Sequence, residues 1–419
     1  MYLIWFYLKK NLFKLTHFEY DRTAFSDLKE YGVKTIYFYK EDESVILDDK
    51  LKSWFDEIWV SIMPYNNIDE ILIFLKSLTW KVFINTFEEP EIPLVNQIKK
   101  WLWQKISDNP DIFLNKYLQR KIIWKYYPET VVNFEVFSLK NICNFKETEY
   151  LHTPLIIKPT WWIQSSWVHK IDNIDDLKLA INDISNAFEM LKEKNLTSQN
   201  ILIEEFISGD MYTIDYFVDE MGNIYSTAPI RVKLWIDYWI NDFCNVARFI
   251  HKWDDIDRNK VLDFVKKTVV WWWIRNTFVH HEFKINDKWY IKTIEINWRI
   301  WWYRLDMYQK WYDINLLKMP FDTGIKAWNA VQNMAVFALY PKHEGILIEK
   351  NSELINEISK LPSFERIRIL DNQIWKKVWF TKNGYSKMGS IVLVNNNNDQ
   401  FEKDVSMVEK SYFDILKIK

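Results

Sequence analysis

Tyr290-Ile-Lys-Thr-Ile-Glu-Ile-Asn-Trp-Arg-Ile-Trp-Trp-Tyr-Arg304 is the stretch whose reading decides the rest. Its first half alternates. Ile294 and Ile296 point one way, and Thr293, Glu295 and Asn297 the other, which is the period of a strand. Upstream, Phe278-Val-His-His-Glu-Phe-Lys-Ile285 has strand composition, and Asn286-Asp-Lys-Trp289 between them has turn composition. Together they predict a hairpin. With Ile285 paired to Tyr290, Glu282 falls opposite Thr293, on the face that carries Glu295. Diagonal neighbours on one face lie about 7–8 Å apart, so the two carboxylates can share a cation. Asn297 adds an amide oxygen, and an all-oxygen set suits Mg²⁺ better than zinc. Taken alone, a solvated acidic hairpin explains these residues equally well. Arg299 and Arg304 shift the balance, because phosphoryl chemistry uses cations beside metal-binding carboxylates.

Glu295-Ile-Asn297-x-Arg299-Ile-x-x resembles the metal-binding signature of ATP-grasp ligases, E-I-N-P-R-x-G-G. Trp301-Trp302 stand where that family has two glycines, and Trp298 where it usually has proline or another small residue. Two further stretches carry the resemblance in order. Leu155-Ile-Ile-Lys158-Pro159-Thr-Trp-Trp-Ile-Gln-Ser-Ser-Trp-Val168 becomes K-P-T-G-G-I-Q-S-S-G-V when written with glycine, like the strand and loop that cover triphosphate. Asn200-Ile-Leu-Ile-Glu-Glu-Phe-Ile-Ser-Gly-Asp-Met-Tyr-Thr-Ile-Asp215 resembles the hinge between the family's two lobes.

The resemblance implies roles. Lys158 pairs with the α- or β-phosphate, and Ser165 or Ser166 donates to phosphate oxygens, as does the loop backbone. Glu204 and the backbone of Glu205, Phe206 and Ile207 meet the adenine edge. Met211 stands where the family often has Glu, which leaves ribose contact to Asp210. Lys116, on a helix expected over 111–120, reaches phosphate from the same face as Arg120. Glu282, Glu295 and Asn297 hold Mg²⁺, with Mn²⁺ an acceptable substitute. Arg299 and Arg231 face the transferred phosphoryl group as catalytic residues.

The tryptophans need a separate explanation. The chain has 24 Trp and only 7 Gly in 419 residues. Together they make 31, close to the ordinary glycine content of about 7%. Their positions follow turns rather than helix or strand periods. Trp289 closes a turn, Trp80 precedes a strand, Trp161-Trp162 follow Lys158-Pro159-Thr160, and Trp271-Trp-Trp273 precede another strand. Such sites suit glycine, which reaches positive φ and lets backbone approach a ligand. The pattern reads as a gene that uses UGA for glycine, as some bacterial lineages do. The alternative is a truly Trp-rich protein with aromatic platforms for sugars or single-stranded nucleic acid.

Lys plus Arg number 55 against 57 Asp plus Glu, so no basic field for nucleic acid exists. Two cysteines, Cys143 and Cys244, exclude a disulfide framework, and no stretch approaches the roughly 20 apolar residues of a membrane span. Residues 1–8 are apolar but lack a basic leader region. The expectation is a cytoplasmic protein without nucleic-acid or membrane partners, with homodimerisation left open.

The fold class expected is α/β with α+β parts, in three regions. Residues 1–110 form an open parallel sheet domain, with strands at 33–39, 57–60 and 81–84 and a helix at 69–76. Residues 111–325 form a two-lobed ATP-grasp domain with a small lobe over about 125–203, a hairpin turning at Gly222 and a helix over 254–270. Residues 326–419 form a small appended region with strands at 335–339, 345–348 and 390–394 and a helix from Phe401. By the resemblance, the chain is a ligase that uses ATP and Mg²⁺ to activate a small-molecule carboxylate as an acylphosphate for attack by an amine or similar nucleophile. An ATP-binding but inactive regulatory module and a Trp-rich binding protein are the alternatives.

Overall fold

The computed structural model describes residues 1–7, 24–40, 53, 55–79, 81–86, 91–106, 112, 114–142, 145–147, 151–160, 167–191, 200–238, 240, 242–250, 256–270, 274–300, 304–322, 330–370, 374–378 and 387–419. Alternating apolar strands near the start pair as parallel neighbours. They are β1 (Tyr2–Tyr7), β2 (Lys34–Lys40), β3 (Val60–Tyr65) and β4 (Val82–Thr86), in the order β3-β2-β1-β4. The strand expected at 57–60 starts later, because residues 57–59 close a helical turn. Pro64, which cannot donate to a ladder, lies on the edge strand β3. Helix α1 (Ile68–Ser77) begins where Asn67 accepts from the Glu70 amide, while Glu70 accepts from the Asn66 amide, a reciprocal cap. It buries Ile71, Leu72 and Leu75 among Ile4, Ile36 and Phe38. Helix α2 (Ile92–Trp101) follows β4.

Helix α3 (Lys116–Tyr126) starts later than expected. Asn115 caps it by accepting from the Tyr117 and Leu118 amides, and the helix stops before Pro128. The small lobe is an antiparallel sheet of β5 (Phe134–Ser138), β6 (Leu155–Pro159), β7 (His169–Ile171) and, after helix α4 (Ile174–Leu191), β8 (Asn200–Glu205). Its order is β5-β8-β6-β7, with Leu177, Ala180 and Ile184 of α4 packed on Leu155, Ile157, Ile201 and Ile203.

The largest sheet holds β9 (Asp210–Val218), β10 (Ile224–Ser226), β11 (Ile230–Leu234) and β12 (Asn245–Ile250), then, after helix α5 (Arg258–Val270), β13 (Thr277–Ile285) and β14 (Ile291–Asn297). After helix α6 (Arg304–Tyr312) it gains β15 (Asn333–Leu339). Next comes β16 (Gly345–Lys350), then helix α7 (Ser352–Ser359) and β17 (Phe364–Ile369). After β18 (Lys377–Val378), β19 (Gly389–Asn395) returns to the large sheet. Helix α8 (Asn398–Ser411) and β20 (Leu416–Ile418) end the chain. The path is β14-β13-β9-β11-β12-β15-β19-β17, with β10 on β9, while β16, β18 and β20 form a separate small sheet. Three strands beyond residue 326 thus continue the sheet that carries the hairpin. No helix among the described residues is long and apolar enough to cross a membrane.

Five tryptophans, Trp59, Trp103, Trp167, Trp289 and Trp375, have φ of 60°, 56°, 56°, 61° and 65°. This left-handed region costs an L-residue roughly 1–2 kcal/mol. Trp103 and Trp375 are also 94% and 74% exposed, so their indoles bury little. Trp235 and Trp311 differ. Both are fully buried, and Trp235 stacks on Phe413 at 5.5 Å. The Trp311 indole nitrogen is nevertheless buried without a hydrogen-bond partner among the described residues, where buried indoles usually find one.

Candidate active site

The hairpin forms, in a register other than the one expected. Ile285 pairs with Ile291, Lys284 with Lys292 and Phe283 with Thr293. A bulge follows, and Glu282 then stands directly opposite Glu295, not opposite Thr293. Without it, the ladder would set Glu282 against the apolar Ile294. The extra residue of a bulge re-aims side chains in this way. Beyond it, Asn297 faces His280.

Strand β14 is an edge of the sheet, and α3 covers it. The Gln119 side chain donates to the Ile296 carbonyl at 2.9 Å and accepts from the Ile296 amide at 3.2 Å, as a neighbouring strand would. The next residue, Arg120, donates to the Ile294 carbonyl at 2.5 Å. This docking brings the Lys116 ammonium to 2.7 Å from Glu295.

Glu282, Glu295 and Lys116 stand at one end of an open cleft between the large sheet and the small lobe. Lys158 and Glu204 line it from β6 and β8, and Glu205, Phe206 and Ile207 from the segment that joins the lobes. Eight of the residues read from sequence are therefore brought together. Lys158 pairs with Glu204, which also accepts from Arg120 at 2.5 Å. Burial pushes the Glu204 carboxyl up, but the Arg120 guanidinium and the Lys158 ammonium outweigh it and hold the carboxyl below its ordinary range. Burial lowers Lys158, and Arg120 and Lys116 add to that against the pull of Glu204. Glu282 behaves like Glu204. Burial raises it, yet His280, Lys116 and Arg299 bring it down overall. Two charged carboxylates facing each other, flanked by cations, form a donor set that fits a hard divalent cation.

Several expected residues lie elsewhere. Arg231 is on the opposite face of β11 from Leu234, which lines the cleft, and its guanidinium pairs with Asp210 at 2.8 Å near solvent. That pairing also engages Asp210, the expected ribose contact. Asn297 and Arg299 are buried beside the cleft without lining it. Ser165, Ser166, Trp161, Trp162, Trp301 and Trp302 lie outside the described residues.

Sequence reasoning missed other lining residues. Lys284 donates to the Ile207 carbonyl at 3.0 Å, and its ammonium lies 5.1 Å from the Phe206 ring centre. Strand period places it on the same face as Glu282, so its position was legible. Burial lowers its pKa, against the pull of Asp237 and Asp210. Met211, Leu234, Phe243, Ile156 and Val168 make that end of the cleft apolar. Apart from Met211, their convergence from separate segments left no signal in the sequence. The arrangement can hold an aromatic group at the apolar end and a polyanion with its cation at the other.

Residues 151–300 match a family model described as an ATP-grasp domain. Among solved structures, L-amino acid ligase from Bacillus licheniformis superposes with a TM-score of 0.70 at 15% identity, covering 100% of this chain and 98% of that one. Carboxyaminoimidazole ribonucleotide synthase from Aspergillus clavatus, complexed with ATP, gives 0.65 at 12% identity, covering 99% and 98%. Biotin carboxylase from Campylobacter jejuni, in a complex with an ATP analogue, gives 0.62 at 13%, covering 100% and 92%. No curated protein sequence matches. The chain thus carries an ATP-grasp domain within the mixed α/β fold of the ATP-grasp ligases.

Proposed function

We propose that the ATP-grasp cleft binds ATP with Mg²⁺ and uses it to join a small carboxylate to an amine or a similar nucleophile. The observation that carries this reading is the bulge that sets Glu282 against Glu295 beside Lys116, at the far end of the cleft from the apolar hinge segment. Adenine fits between Phe206, Met211, Leu234 and Ile156, with its edge on the backbone of 205–207. Lys158 and Lys116 then lie along the phosphates. When bound, Mg²⁺ would offset the negative charge that develops in transfer. Glu282 and Glu295 would hold it, with Asn297 behind them. In the reaction, a carboxylate oxygen attacks the γ-phosphorus and the bond to the bridging β–γ oxygen breaks, which releases ADP. The amine nitrogen then attacks the acyl carbon, phosphate departs with the electron pair of its C–O bond, and the amine proton passes to solvent. Lys116, Lys158 and Arg299 contribute by positioning and electrostatics. Calorimetry with ATP and Mg²⁺ tests the binding, and phosphate release across a panel of carboxylates and amines tests the reaction. A chain that binds ATP but releases no phosphate with any pair is the inactive regulatory module. A chain without ATP affinity overturns the reading.

We also propose that many tryptophans of the printed chain are glycine in the native protein. Support comes from the five positive-φ positions and the glycine-like total. By the family resemblance, residues 161–167 would cover phosphate with their backbone, which indoles would obstruct. Peptide masses of the native protein at 161, 162, 301 and 302 decide between Gly and Trp.

A further inference from the structure

His280, just behind the metal-binding pair of the proposed function, is 1% exposed and faces a carboxylate with each ring nitrogen. Nδ1 lies 2.7 Å from Asp215 Oδ1, on the neighbouring strand β9 and directly opposite in register. Nε2 faces Glu282 Oε1 across 3.5 Å. Asp215 is itself anchored. Its Oδ2 accepts from the Tyr308 hydroxyl at 3.0 Å and lies 3.8 Å from Arg304 Nε. Thr227 donates to Tyr308 at 2.8 Å, and Arg304 donates to Thr213 at 2.6 Å. Thr213 stands opposite Glu282. Asp215, His280, Arg304 and Tyr308 are all within 1% of full burial.

Packing alone does not call for such a group, because burying ionisable side chains carries a desolvation cost that apolar residues avoid. The chain of contacts runs from α6, just beyond the Glu295–Arg299 motif, through Asp215 and His280 to Glu282, which opens on the cleft. A carboxylate on a strand can rotate about its side-chain bonds. One that must share a cation with Glu295 gains from a partner that limits this freedom, and outer-shell partners of metal ligands act in this way.

We propose that Asp215 and His280 are positioning residues that fix the orientation in which Glu282 shares the nucleotide's divalent cation with Glu295. This rests on the proposed function. The relay acts through Glu282 and does not touch the substrate.

The test uses the full chain, Mn²⁺ as the probe and a non-hydrolysable ATP analogue, with Mn²⁺ affinity read by electron paramagnetic resonance. In His280→Asn the amide can still reach Asp215 but not Glu282. In His280→Gln it extends towards Glu282. The expected result for His280→Asn is a tenfold or greater loss of Mn²⁺ affinity with the analogue bound. Metal-free analogue affinity should stay near the parent's, and His280→Gln should recover part of the Mn²⁺ loss. Tyr308→Phe, which loosens Asp215, should weaken Mn²⁺ a few-fold. Equal Mn²⁺ affinity in the parent, His280→Asn and Tyr308→Phe overturns this inference alone. If His280→Asn unfolds, Tyr308→Phe decides by the same measurement. Failure of the parent to bind Mn²⁺ with the analogue overturns the proposed function, and this inference falls with it.

Discussion

The two ends of the cleft are made of different materials. At the hinge end the walls are Phe206, Met211, Leu234 and Phe243, and the cation that lines it, Lys284, is bound to the Ile207 carbonyl. At the other end Lys116, Lys158, Glu204, Glu282 and Glu295 crowd together, with Arg120 and His280 behind them. An apolar wall needs only shape and tolerates exchange among similar side chains. A buried cluster of charges has no such tolerance, because removing one member leaves another desolvated and unpaired. The charged end should therefore respond to single-atom changes in side chains, and the apolar end only to lost volume.

The largest effect is expected at Glu204. Glu204→Gln strips the counter-charge from two buried cations, Lys158 and Arg120, which typically costs about 3–5 kcal/mol. The sign with pH follows from its lowered carboxyl. The stabilisation is present above the unfolded carboxylate range and is lost as pH falls through the folded value. Melting curves from pH 7 to 3 should show a steep acid loss in the parent that is shallower in the variant. A variant as stable as the parent at pH 7 would mean that the pair contributes no net stability.

Glu295→Gln comes next. It keeps shape and removes charge, so folding should be nearly unaffected while turnover falls by about 10²–10³-fold, the scale for losing one electrostatic contact to the reacting group. A near-parental rate would make the facing carboxylates structural and erase the contrast between the two ends.

At the apolar end, Phe206→Ala should weaken ATP by roughly tenfold, as expected for a lost aromatic contact worth about 1–2 kcal/mol. The rate at saturating ATP should change little, because that contact is the same before and during transfer. A large drop in kcat with unchanged affinity would show that the hinge end takes part in the chemistry.

A test outside the cleft concerns Lys99, a buried charge. Its ammonium donates to the Asn276 carbonyl at 2.6 Å, and burial pushes its pKa down to about 7. Between that value and the unfolded value near 10.4, the unfolded state binds more protons, so this group makes stability rise with pH, by at most about 1.4 kcal/mol per unit. The difference in stability between the parent and Lys99→Met should drift with pH from 7 to 9. A flat difference would show that Lys99 keeps its ordinary proton affinity despite burial.

Much of the charged end was legible because strand period is strict. Alternation placed Glu282 and Lys284 on one face of β13, and Lys158 two residues from Ile156 on β6. The motif around Glu295-Ile-Asn297 was legible through the family resemblance, and the helix face shared by Lys116 and Arg120 through helical spacing. At the apolar end the hinge segment and Met211 were legible through the resemblance, but Leu234 and Phe243 were not, since they look like any other core residues until the fold gathers them. The late start of α3 was readable only in hindsight from Asn115, a cap outcompeted in the reading by the acidic residue at 111.

By itself the sequence determined which residues share a face and the order of the elements, because those follow from local backbone geometry. Only the tertiary structure decided which faces meet. The Ile285–Ile291 register and the bulge between Glu282 and Phe283 depend on the ladder as a whole, and together they set the two carboxylates face to face. Arg120 finds Glu204 across 84 residues, and His280 finds Asp215 across 65. Pairings at that distance are fixed by sheet order and by burial that leaves each charge only its buried neighbours for neutralisation, and no local period in the chain records them.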